Sequence, residues 1–470
     1  MSVVSSATAT WSAAEAARAT GGRPVGDWLA SGVSIDTRSL APGELFVALV
    51  GERHDAHGFV PEALGKGAAA AMVARRPEGL DVDAPLLVVA DTLEGLQALG
   101  RAGRVRARAR VAAVTGSVGK TGTKEALRHV LDRQGGCHAS AASHNNQWGV
   151  PLTLARLPAA VPWAVVEIGM NHAGEIAALV PMARPHVALV TAIAPAHLGN
   201  FEDGLLGIAR AKAEILGGLE PGGVAVLPAD SEQLPILLKA ARRAGVRRIV
   251  TFGSRAGADW RLVEAALEAE GSSVLVEHRG RRLRFRLGAP GGHWVSNALG
   301  VLATVEALGA DAERAAADLA DLAPPAGRGA RRRITLPDGG EVLLIDESYN
   351  ANPASMTAAI ALLGQQPGRR VAVLGDMLEL GPRAAELHAA LAEPLVRAGV
   401  ELVLTCGPLS AALAEALPVP LRGPHAADSE VLVPLVRAAL RPGDVVLVKG
   451  SLGSRMARIA AAFELAGGDR

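Results

Sequence analysis

The stretch Val111–Arg133, VAAVTGSVGKTGTKEALRHVLDR, decides the fold, because an apolar run ends in a glycine-rich loop and a helical pattern follows it. The loop, Gly116-x-x-Gly119-Lys120-Thr121, is shorter than the full nucleotide-triphosphate signature, in which four residues separate the two glycines. After a strand and before a helix, such a loop turns backbone amides and a helix N-terminus toward a phosphate. Lys120 can then reach the β- and γ-oxygens, and the Thr121 hydroxyl can hold Mg²⁺. The alternative is an ordinary glycine-rich turn with a surface lysine.

Outward from this loop, apolar strand segments alternate with helical ones. Before it, short strand candidates (GELFVALVG, AAAMVA, PLLVVA) from Ser34 to about Ala90 predict a small α/β unit. After it, WAVVEIG, HVALVTAI and GVAVLPAD alternate with helices, which is typical of a mostly parallel, doubly wound sheet. Residues 260–287 predict antiparallel hairpins, and a Pro/Gly break at 323–333 precedes four further strand ends, VLLIDESYN, RRVAVLGDM, VELVLTCG and DVVLVKGS.

These patterns predict an α/β protein of three domains. The predicted domains are a small N-terminal α/β domain over 1–105, a central doubly wound sheet with the phosphate loop over 106–325, and a C-terminal Rossmann-like α/β domain over 326–470. The strand ends of open α/β sheets line the ligand crevice, so the functional residues are expected there.

Composition excludes several classes of protein. The 470 residues are 49% hydrophobic and 20% charged with a net charge of +1, which argues against disorder and against a surface that coats nucleic acid. The first residues lack the pattern of a signal peptide, and no run of 18 apolar residues follows, so we expect a cytoplasmic protein without stable membrane insertion. We also expect a monomer. Cys137 and Cys406 lack metal-ligand spacing and are interpreted as small buried residues.

Lysine is rare in this chain. Six lysines, at 66, 120, 124, 212, 239 and 449, leave 42 arginines among the 48 basic residues. A lysine that persists against this bias is a candidate for a position that needs an amine, although chance alone could leave a few on the surface.

Polar groups follow two strands of the central unit. Glu167 ends WAVVEIG, and His197 follows HVALVTAIAPA. A carboxylate and a neutral imidazole can each ligate a hard cation that bridges phosphate oxygens, whereas either residue alone also fits a solvated or core-capping role. Lys212 lies in the helical stretch IARAKAEIL, where an exposed lysine usually has no special role.

Several stretches, taken in order along the chain, resemble the Mur ligases of peptidoglycan synthesis. They are TGSVGKTGTK, HNNQWGVPLTL, VVEIGMNHAGEI, the pair AHLGNF and GIARAKAEIL, GGHWVSNALGVLA, DESYNANPASM and LGDMLELG. YNANP and GDMLELG resemble most the branch of the family that joins D-alanyl-D-alanine to UDP-N-acetylmuramoyl-tripeptide.

The resemblance implies an ATP-dependent amide-forming ligase with an acyl-phosphate intermediate. It implies that ATP lies on the loop residues Gly116, Ser117, Val118, Gly119, Lys120, Thr121 and Gly122, with the adenine at Asn297, and that Arg328 and Asp346 close over the nucleotide. It implies two Mg²⁺ ions around Thr121, Glu167 and His197, with Lys212 as a carbamylated lysine that helps to hold the second ion. In the same way, Lys120, Glu167, His197 and Lys212 are the implied catalytic residues, and the implied substrate contacts are Asp36 and Arg38 for the UDP-sugar and Asn145 and Asn146 for the sugar-peptide.

The chain departs from the family pattern at several positions. They are Glu347, Ala56, Ala192 and Pro228, where the family usually has Asp, Gly, Asn and Asn. None of them removes a phosphate or metal ligand, so the departures bear on substrate contacts more than on chemistry. Two alternatives stay open: another Mur-type ligase, tripeptide-forming or folylpolyglutamate synthase-like, and a P-loop nucleotide switch.

Overall fold

A computed structural model describes residues 10–51, 54–196, 198–336 and 339–463. The N-terminal part forms a sheet with strand order β2-β7-β6-β5-β4 and a small antiparallel pair of β1 and β3. Its elements are β1 Trp11–Ser12, α1 Ala13–Thr20, β2 Arg23–Val25, β3 Leu29–Ala30, β4 Val33–Ser34, β5 Leu45–Val47, α2 Val60–Gly65, β6 Ala70–Val73, β7 Leu86–Val88 and α3 Thr92–Arg106.

The central part is a mixed sheet with strand order β16-β15-β14-β13-β12-β11-β8-β10-β9. Its strands are β8 Arg110–Thr115, β9 Cys137–Ala139, β10 Trp163–Glu167, β11 Val187–Val190, β12 Val224–Pro228, β13 Arg248–Gly253, β14 Trp260–Glu268, β15 Gly271–His278 and β16 Arg281–Leu287. Its helices are α4 Lys120–Asp132, α5 Gly149–Ala155, α6 Glu175–Ala183, α7 Leu205–Ala213, α8 Leu234–Arg243, α9 Gly292–Ala307 and α10 Ala312–Asp318.

The C-terminal part has strand order β17-β18-β22-β19-β20-β21. Its strands are β17 Ala330–Thr335, β18 Glu341–Glu347, β19 Arg370–Gly375, β20 Leu402–Cys406, β21 Arg422–Ala426 and β22 Val445–Lys449. Its helices are α11 Pro353–Gly364, α12 Ala384–Ala389, α13 Ala392–Arg397, α14 Ala411–Ala416, α15 Ser429–Ala439 and α16 Ala457–Ala462.

Strand β8 is buried on both faces, which explains why its sequence is apolar at successive positions. Ala112 and Val114 pack with the apolar side of α4 and with α9, while Val111 and Ala113 pack with α5 and α6 on the opposite face. A parallel strand covered by helices on both sides needs apolar residues at every position rather than at alternate ones. The predicted doubly wound α/β fold is therefore confirmed.

The strand order of the central sheet determines where a ligand site is expected. Strand β8 pairs in parallel with β10 on one side and β11 on the other, so the carboxyl ends of these three strands meet. The chain leaves β8 toward β9 and β10, then crosses to β11, which makes β8 the switch point where open α/β sheets bind their ligands.

The antiparallel hairpins predicted for 260–287 are confirmed as β14, β15 and β16. The Pro/Gly break is shorter than the pattern predicts, because the edge strand β17 already begins at Ala330 within an arginine-rich segment. Edge strands tolerate charged residues because only one side of the strand is paired. Each sheet lies within one of the three predicted intervals, and the boundaries themselves stay a prediction.

Helix α3 joins the N-terminal part to the central part by close backbone contact with α5. A Cβ atom on Gly100 would lie 2.9 Å from the backbone of Pro151, and one on Gly103 would lie 2.3 Å from the carbonyl oxygen of Leu154. Glycine at these two positions allows the helices to approach each other, so the N-terminal part packs closely against the central part.

Candidate active site

The phosphate loop joins β8 to α4 along a path that glycine alone can follow without displacing its neighbours. Gly116 has φ 154° and Gly119 has φ 83°. A Cβ on Gly116 would lie 1.9 Å from Oγ1 of Thr191, and one on Gly119 would lie 2.7 Å from Oδ1 of Asn297. The loop therefore has the tight backbone that a phosphate cradle requires, as the sequence predicts.

The end of β11 holds this loop from the side. The Ser117 amide donates to the carbonyl oxygen of Ala192 at 2.8 Å, and the Thr191 hydroxyl donates to the carbonyl oxygen of Val118 at 2.6 Å. The Ala194 amide donates to the Ser117 hydroxyl at 3.0 Å. Because Ala192 contributes its backbone carbonyl here, its departure from the family pattern leaves the loop contact intact.

Lys120 begins α4, and its ammonium lies over the loop. Its Nζ donates to the carbonyl oxygen of Gly116 at 2.6 Å. Burial lowers the pKa of Lys120, while the nearby Glu167 carboxylate acts against this shift and the Arg328 guanidinium adds to it. Lys120 thus shares its electrostatic environment with an acidic group from β10 and a cation from the C-terminal side.

Thr121 and Glu167 form the buried polar centre of the site. The Thr121 hydroxyl donates to the two carboxylate oxygens of Glu167 at 2.9 and 3.1 Å, and Glu167 is fully buried. Nδ2 of Asn145 donates to the same carboxylate at 2.8 Å. The hydroxyl and carboxylate oxygens of this pair are suitable ligands for Mg²⁺. This ion usually takes one or two protein ligands and completes its coordination shell with water and phosphate oxygens.

Part of the predicted metal set lies outside the described residues, because His197 is not among them. Within the described part of the chain, no three His, Cys, Asp or Glu side chains come together as a metal site. The two Mg²⁺ ions and the His197 ligand therefore stay predictions, to which the Thr121 and Glu167 oxygens are suited.

Lys212 lies on α7 and is 1% exposed, so it is not a solvated helix lysine. Burial lowers the pKa of Lys212 well below its usual value, and the positive charge of Lys120 adds to this shift. The two amines therefore lie near enough for the charge of one to affect the pKa of the other. A lowered pKa increases the fraction of neutral amine, which is the form that reacts with CO₂.

Helix α9 packs against the phosphate loop and the first turn of α4. Trp294 is buried, and a Cβ on Gly122 would lie 2.8 Å from its ring. Asn297 lies one turn later, beside Gly119. The structure thus places the residue predicted for the adenine directly against the phosphate loop, and its nucleotide contact stays a prediction.

Arg328 lies in the segment 323–329 before β17, here called the linker, and contacts Ser143 of the central part, a residue that sequence reasoning did not select. Nη2 of Arg328 donates to the Ser143 hydroxyl at 3.0 Å, and Ser143 lies 3.3 Å from the Thr121 hydroxyl oxygen. The Arg328 guanidinium also lies over the Tyr349 ring, 4.2 Å from its centroid. Ser143 directly precedes the stretch HNNQWGVPLTL, and this position is the only sequence signal for it.

Asp346 contacts the linker in this structure. Its carboxylate accepts from the Ser348 hydroxyl at 2.6 Å and from the Gly327 amide at 3.2 Å, and it is 6% exposed. The neighbouring Glu347 pairs with Lys449 at 3.1 Å. The longer Glu347 side chain therefore has a buried partner on the next strand, and the nucleotide contact of Asp346 stays a prediction.

The N-terminal part and the central part enclose a cavity of about 1210 Å³ that includes both predicted UDP-sugar contacts. Arg38 donates to both carboxylate oxygens of Asp36, through Nε at 2.9 Å and Nη2 at 2.6 Å. These hydrogen bonds lower the pKa of Asp36 to about 2, so this carboxylate stays ionised at neutral pH. His144, Trp148 and Arg156 line the side of the cavity that faces the central part.

The remaining predicted substrate residues have local partners. Asn145 contacts Glu167, as described above, and Oδ1 of Asn146 accepts from the amides of Trp148 and Gly149 at 3.2 and 3.0 Å. The sugar-peptide contacts of both asparagines stay predictions. Near Ala56, His57 lies 2.6 Å from Asp55 through Nδ1 and accepts from the Ala74 amide through Nε2, so both ring nitrogens have partners.

Comparison with known proteins agrees with this site. The description "Mur ligase middle domain" matches residues 114–305, and "Mur ligase, glutamate ligase domain" matches residues 331–452. The chain belongs to the Mur ligase family.

Particular relatives have a common name. UDP-N-acetylmuramoyl-tripeptide–D-alanyl-D-alanine ligase of Escherichia coli (strain K12) is 38% identical over 92% of this chain and 93% of its own length. The crystal structure of MurF from Acinetobacter baumannii has a TM-score of 0.84 and 32% identity over 97% of this chain and 99% of its own. MurF ligase from Thermotoga maritima, solved with ADP, has a TM-score of 0.76 and 28% identity over 93% and 97%.

None of the helices in the described ranges has both the length and the apolar composition needed to cross a bilayer.

Both cysteines are free. Cys406 is buried and Cys137 is partly buried, so the prediction of two buried residues holds fully for Cys406 alone.

Proposed function

We propose that this chain is the ATP-dependent ligase that joins D-alanyl-D-alanine to UDP-N-acetylmuramoyl-tripeptide. The γ-phosphoryl group passes from ATP to the terminal carboxylate of the tripeptide, which leaves ADP and an acyl phosphate. The amine of D-alanyl-D-alanine then attacks the acyl carbon, an amide bond forms, a proton is lost and phosphate leaves. The relatives that match more than nine-tenths of this chain support this choice of substrates.

The observation that carries the proposal is the buried Thr121–Glu167 pair beside Lys120 at the end of β8. Phosphoryl transfer requires little covalent chemistry from the protein and depends on positioned charge. Lys120 places a cation over the loop, within reach of the phosphate oxygens. Thr121 and Glu167, with His197 and a carbamylated Lys212, would hold Mg²⁺, which neutralises phosphate charge when bound.

The substrates have separate places in this arrangement. The UDP-sugar enters the N-terminal cavity near Asp36 and Arg38, and ATP lies between the loop and α9 with its adenine at Asn297. Arg328 and Asp346 approach from the C-terminal side and exclude water from the acyl phosphate, which water would otherwise hydrolyse. Since these substrates are cytoplasmic nucleotides, we propose that the enzyme works in the cytoplasm, and we propose that it acts as a monomer.

A substrate panel tests the proposal. ADP release is measured with ATP, Mg²⁺ and UDP-N-acetylmuramoyl-tripeptide, while the amine is D-alanyl-D-alanine, D-alanine, an L,L-dipeptide or absent, and the amide product is identified by mass spectrometry. We expect sustained ADP release and product with D-alanyl-D-alanine alone. Turnover with a different amine would identify another Mur-type ligase. Steady ATP hydrolysis in a further reaction that lacks both the acid and the amine would favour a nucleotide switch.

A further inference from the structure

A buried lysine outside the predicted site contacts the segment that carries Ser143 and Asn145. Lys124 lies on α4, one turn after Lys120, and is completely buried. Its Nζ donates to the carbonyl oxygens of Ser140 and Ala142, each at 2.7 Å. The same ammonium lies 2.6 Å from Oε1 of Glu125.

These contacts satisfy the ammonium completely. A lysine ammonium has three donors, and three acceptors surround this one. Burying a cation without partners is costly, and this burial is supported by two carbonyl oxygens and one carboxylate. Partial burial acts to raise the pKa of Glu125, but the hydrogen bonds and charges of Lys124 and Arg128 together outweigh it and leave the pKa lowered. Since its donors are occupied, Lys124 is not a second phosphate-binding lysine.

The two carbonyls belong to a turn with an unusual backbone. Ala142 has φ 45°, in the left-handed region that residues with a Cβ seldom adopt. Such a conformation is strained for a residue with a Cβ and persists when surrounding contacts impose it. Lys124 binds the carbonyl of Ala142 itself and that of Ser140 two residues earlier, so it contacts the turn at its first residue and at its strained residue.

The turn connects the edge strand β9 to the polar centre of the site. At its start, the Ser140 amide donates to Val165 of β10, and the Ser140 hydroxyl accepts from the Glu167 amide at 3.1 Å. At its end, Ser143 lies beside Thr121, and Asn145 donates to the Glu167 carboxylate. The position of residues 140–145 therefore decides whether these side chains meet the Thr121–Glu167 pair.

We propose that Lys124 is a positioning residue, whose buried ammonium holds residues 140–145 against α4 and so keeps Ser143 and Asn145 on the Thr121–Glu167 pair. The proposal rests on the proposed function for its kinetic consequences, while the placement of the segment is independent of it. Arginine is the default cation in this chain, but a planar guanidinium does not present three donors to converging acceptors at this distance.

The first test measures the segment itself. Lys124→Met keeps an unbranched, apolar side chain of similar length and removes the three donors. We expect amide hydrogen exchange in residues 140–146 to accelerate about tenfold or more, as lost buried hydrogen bonds allow local opening, while exchange in the rest of the central sheet is unchanged. Lys239→Met, the same change at an exposed lysine of α8, is the matched control and should leave this segment as protected as in the wild type.

The second test links the segment to the site. ADP affinity is measured by calorimetry with and without Mg²⁺. We expect Lys124→Met to retain the wild-type affinity without Mg²⁺ and to lose most of the additional affinity that Mg²⁺ confers, since the Thr121–Glu167 pair loses its supporting side chains. A loss of affinity that is equal with and without Mg²⁺ would show a general structural role and overturn the proposal.

A double-variant cycle identifies the path of the effect. In ligase turnover, Lys124→Met should lower kcat about 10- to 100-fold in the wild-type background, and by no more than about threefold in an Asn145→Ala background, because both changes remove the same interaction. Equal losses in the two backgrounds would contradict the proposal.

The tests of Lys124 and the test of the proposed function can fail independently of each other. If Lys124→Met does not fold, Lys124→Gln provides the milder case, because its shorter amide cannot reach both carbonyls, and faster exchange confined to 140–146 is expected. Unchanged exchange in that segment in the folded variant overturns the role of Lys124, whatever the reaction. Absence of ligase turnover in the wild-type protein instead contradicts the proposed function and leaves the exchange result valid.

Discussion

Lysine occupies the buried cation positions around the candidate site, although arginine is seven times as common in the chain. Lys124, Lys212 and Lys449 are among the largest fully buried side chains. Each position requires a compact ammonium or an amine that can lose its proton, and a guanidinium provides neither. The presence of lysine at these buried positions, against the arginine bias of the chain, therefore has a physical basis in the chemistry of the single residue.

Replacing Lys120 by alanine tests the loop cation. The only hydrogen bond of its Nζ is to the Gly116 carbonyl in the described part of the chain, so the fold should be retained. Loss of a positioned charge at the transferring phosphoryl group should lower kcat by at least about 100-fold. The measurements are ADP release and thermal unfolding, with Lys239→Ala as the control. Near-normal turnover in Lys120→Ala would remove this lysine from the mechanism.

Replacing Lys212 by arginine tests the carbamate. The family implies a carbamylated lysine here, and burial lowers the pKa of Lys212, so a neutral amine is available at lower pH than for an exposed lysine. We expect Lys212→Arg to be as inactive as Lys212→Ala, since guanidinium cannot form the carbamate. An active Lys212→Arg enzyme would show that no carbamate is needed.

The same group predicts a pH dependence. With ¹³C-labelled bicarbonate, the wild-type protein should show a carbamate carbon signal that Lys212→Arg lacks. Because the lowered pKa is that of the protonated amine, this signal should weaken as the pH falls through it and the ammonium forms. A signal of equal intensity in the arginine variant would place the carbamate on another amine.

Among the secondary-structure elements, helices α4 and α9 pack against each other at a glycine of α4. Gly122 lies against the ring of the buried Trp294, and Asn297 follows one turn along the same helix. Helix α4 therefore lies close to α9 beside the place where the nucleotide is expected to bind. Packing at this point sets the distance between the phosphate loop and the adenine position.

Gly122→Ala tests this contact. The added methyl group would lie 2.8 Å from the ring, so Trp294 must move. Overpacking of this kind costs about 1–3 kcal/mol, and we expect a lower unfolding temperature together with weaker ADP binding. Gly122→Ala/Trp294→Phe should recover part of both losses, because the smaller ring leaves space for the methyl group. Wild-type stability and ADP affinity in Gly122→Ala would contradict the predicted coupling.

For the molecule as a whole, the C-terminal part contacts the central part at more than one place. Arg328 reaches Ser143, and Arg331 of β17 donates to the Ala269 carbonyl in the β14–β15 turn. At a further place, a Cβ on Gly381 would lie 3.3 Å from Cα of Gly199, so the two backbones lie close together. The linker residues 323–329 contain Pro and Gly and precede β17, which suits a hinge.

Domain closure can be measured by small-angle X-ray scattering. We expect the radius of gyration to fall when a non-hydrolysable ATP analogue and UDP-N-acetylmuramoyl-tripeptide are both present, because the C-terminal part then closes over the nucleotide. Arg328→Ala should reduce this compaction, as it removes the contact with Ser143 and the stacking on Tyr349. An unchanged radius in the wild-type protein with both ligands would contradict closure.

Much of the fold follows from patterns local to the chain. The apolar run, glycines and helical pattern of 111–133 determine a strand, a loop and a helix, because adjacent residues specify these elements through backbone conformation and periodicity. The same reasoning predicted the doubly wound sheet, the hairpins of 260–287 and the loop residues from Gly116 to Thr121. Glu167 could be selected because it ends an apolar strand whose neighbours also end at the site.

Only the tertiary structure decided which distant side chains meet. It brings Asn145 to Glu167, Ser143 to Arg328 and Lys124 to the carbonyls of a strained turn, and it makes Lys212 a buried amine rather than a surface one. These contacts join segments whose relative positions depend on strand order and helix packing, which no local pattern encodes. A hydrogen bond requires a distance correct to a few tenths of an ångström, and such a distance is set when the sheets and helices pack.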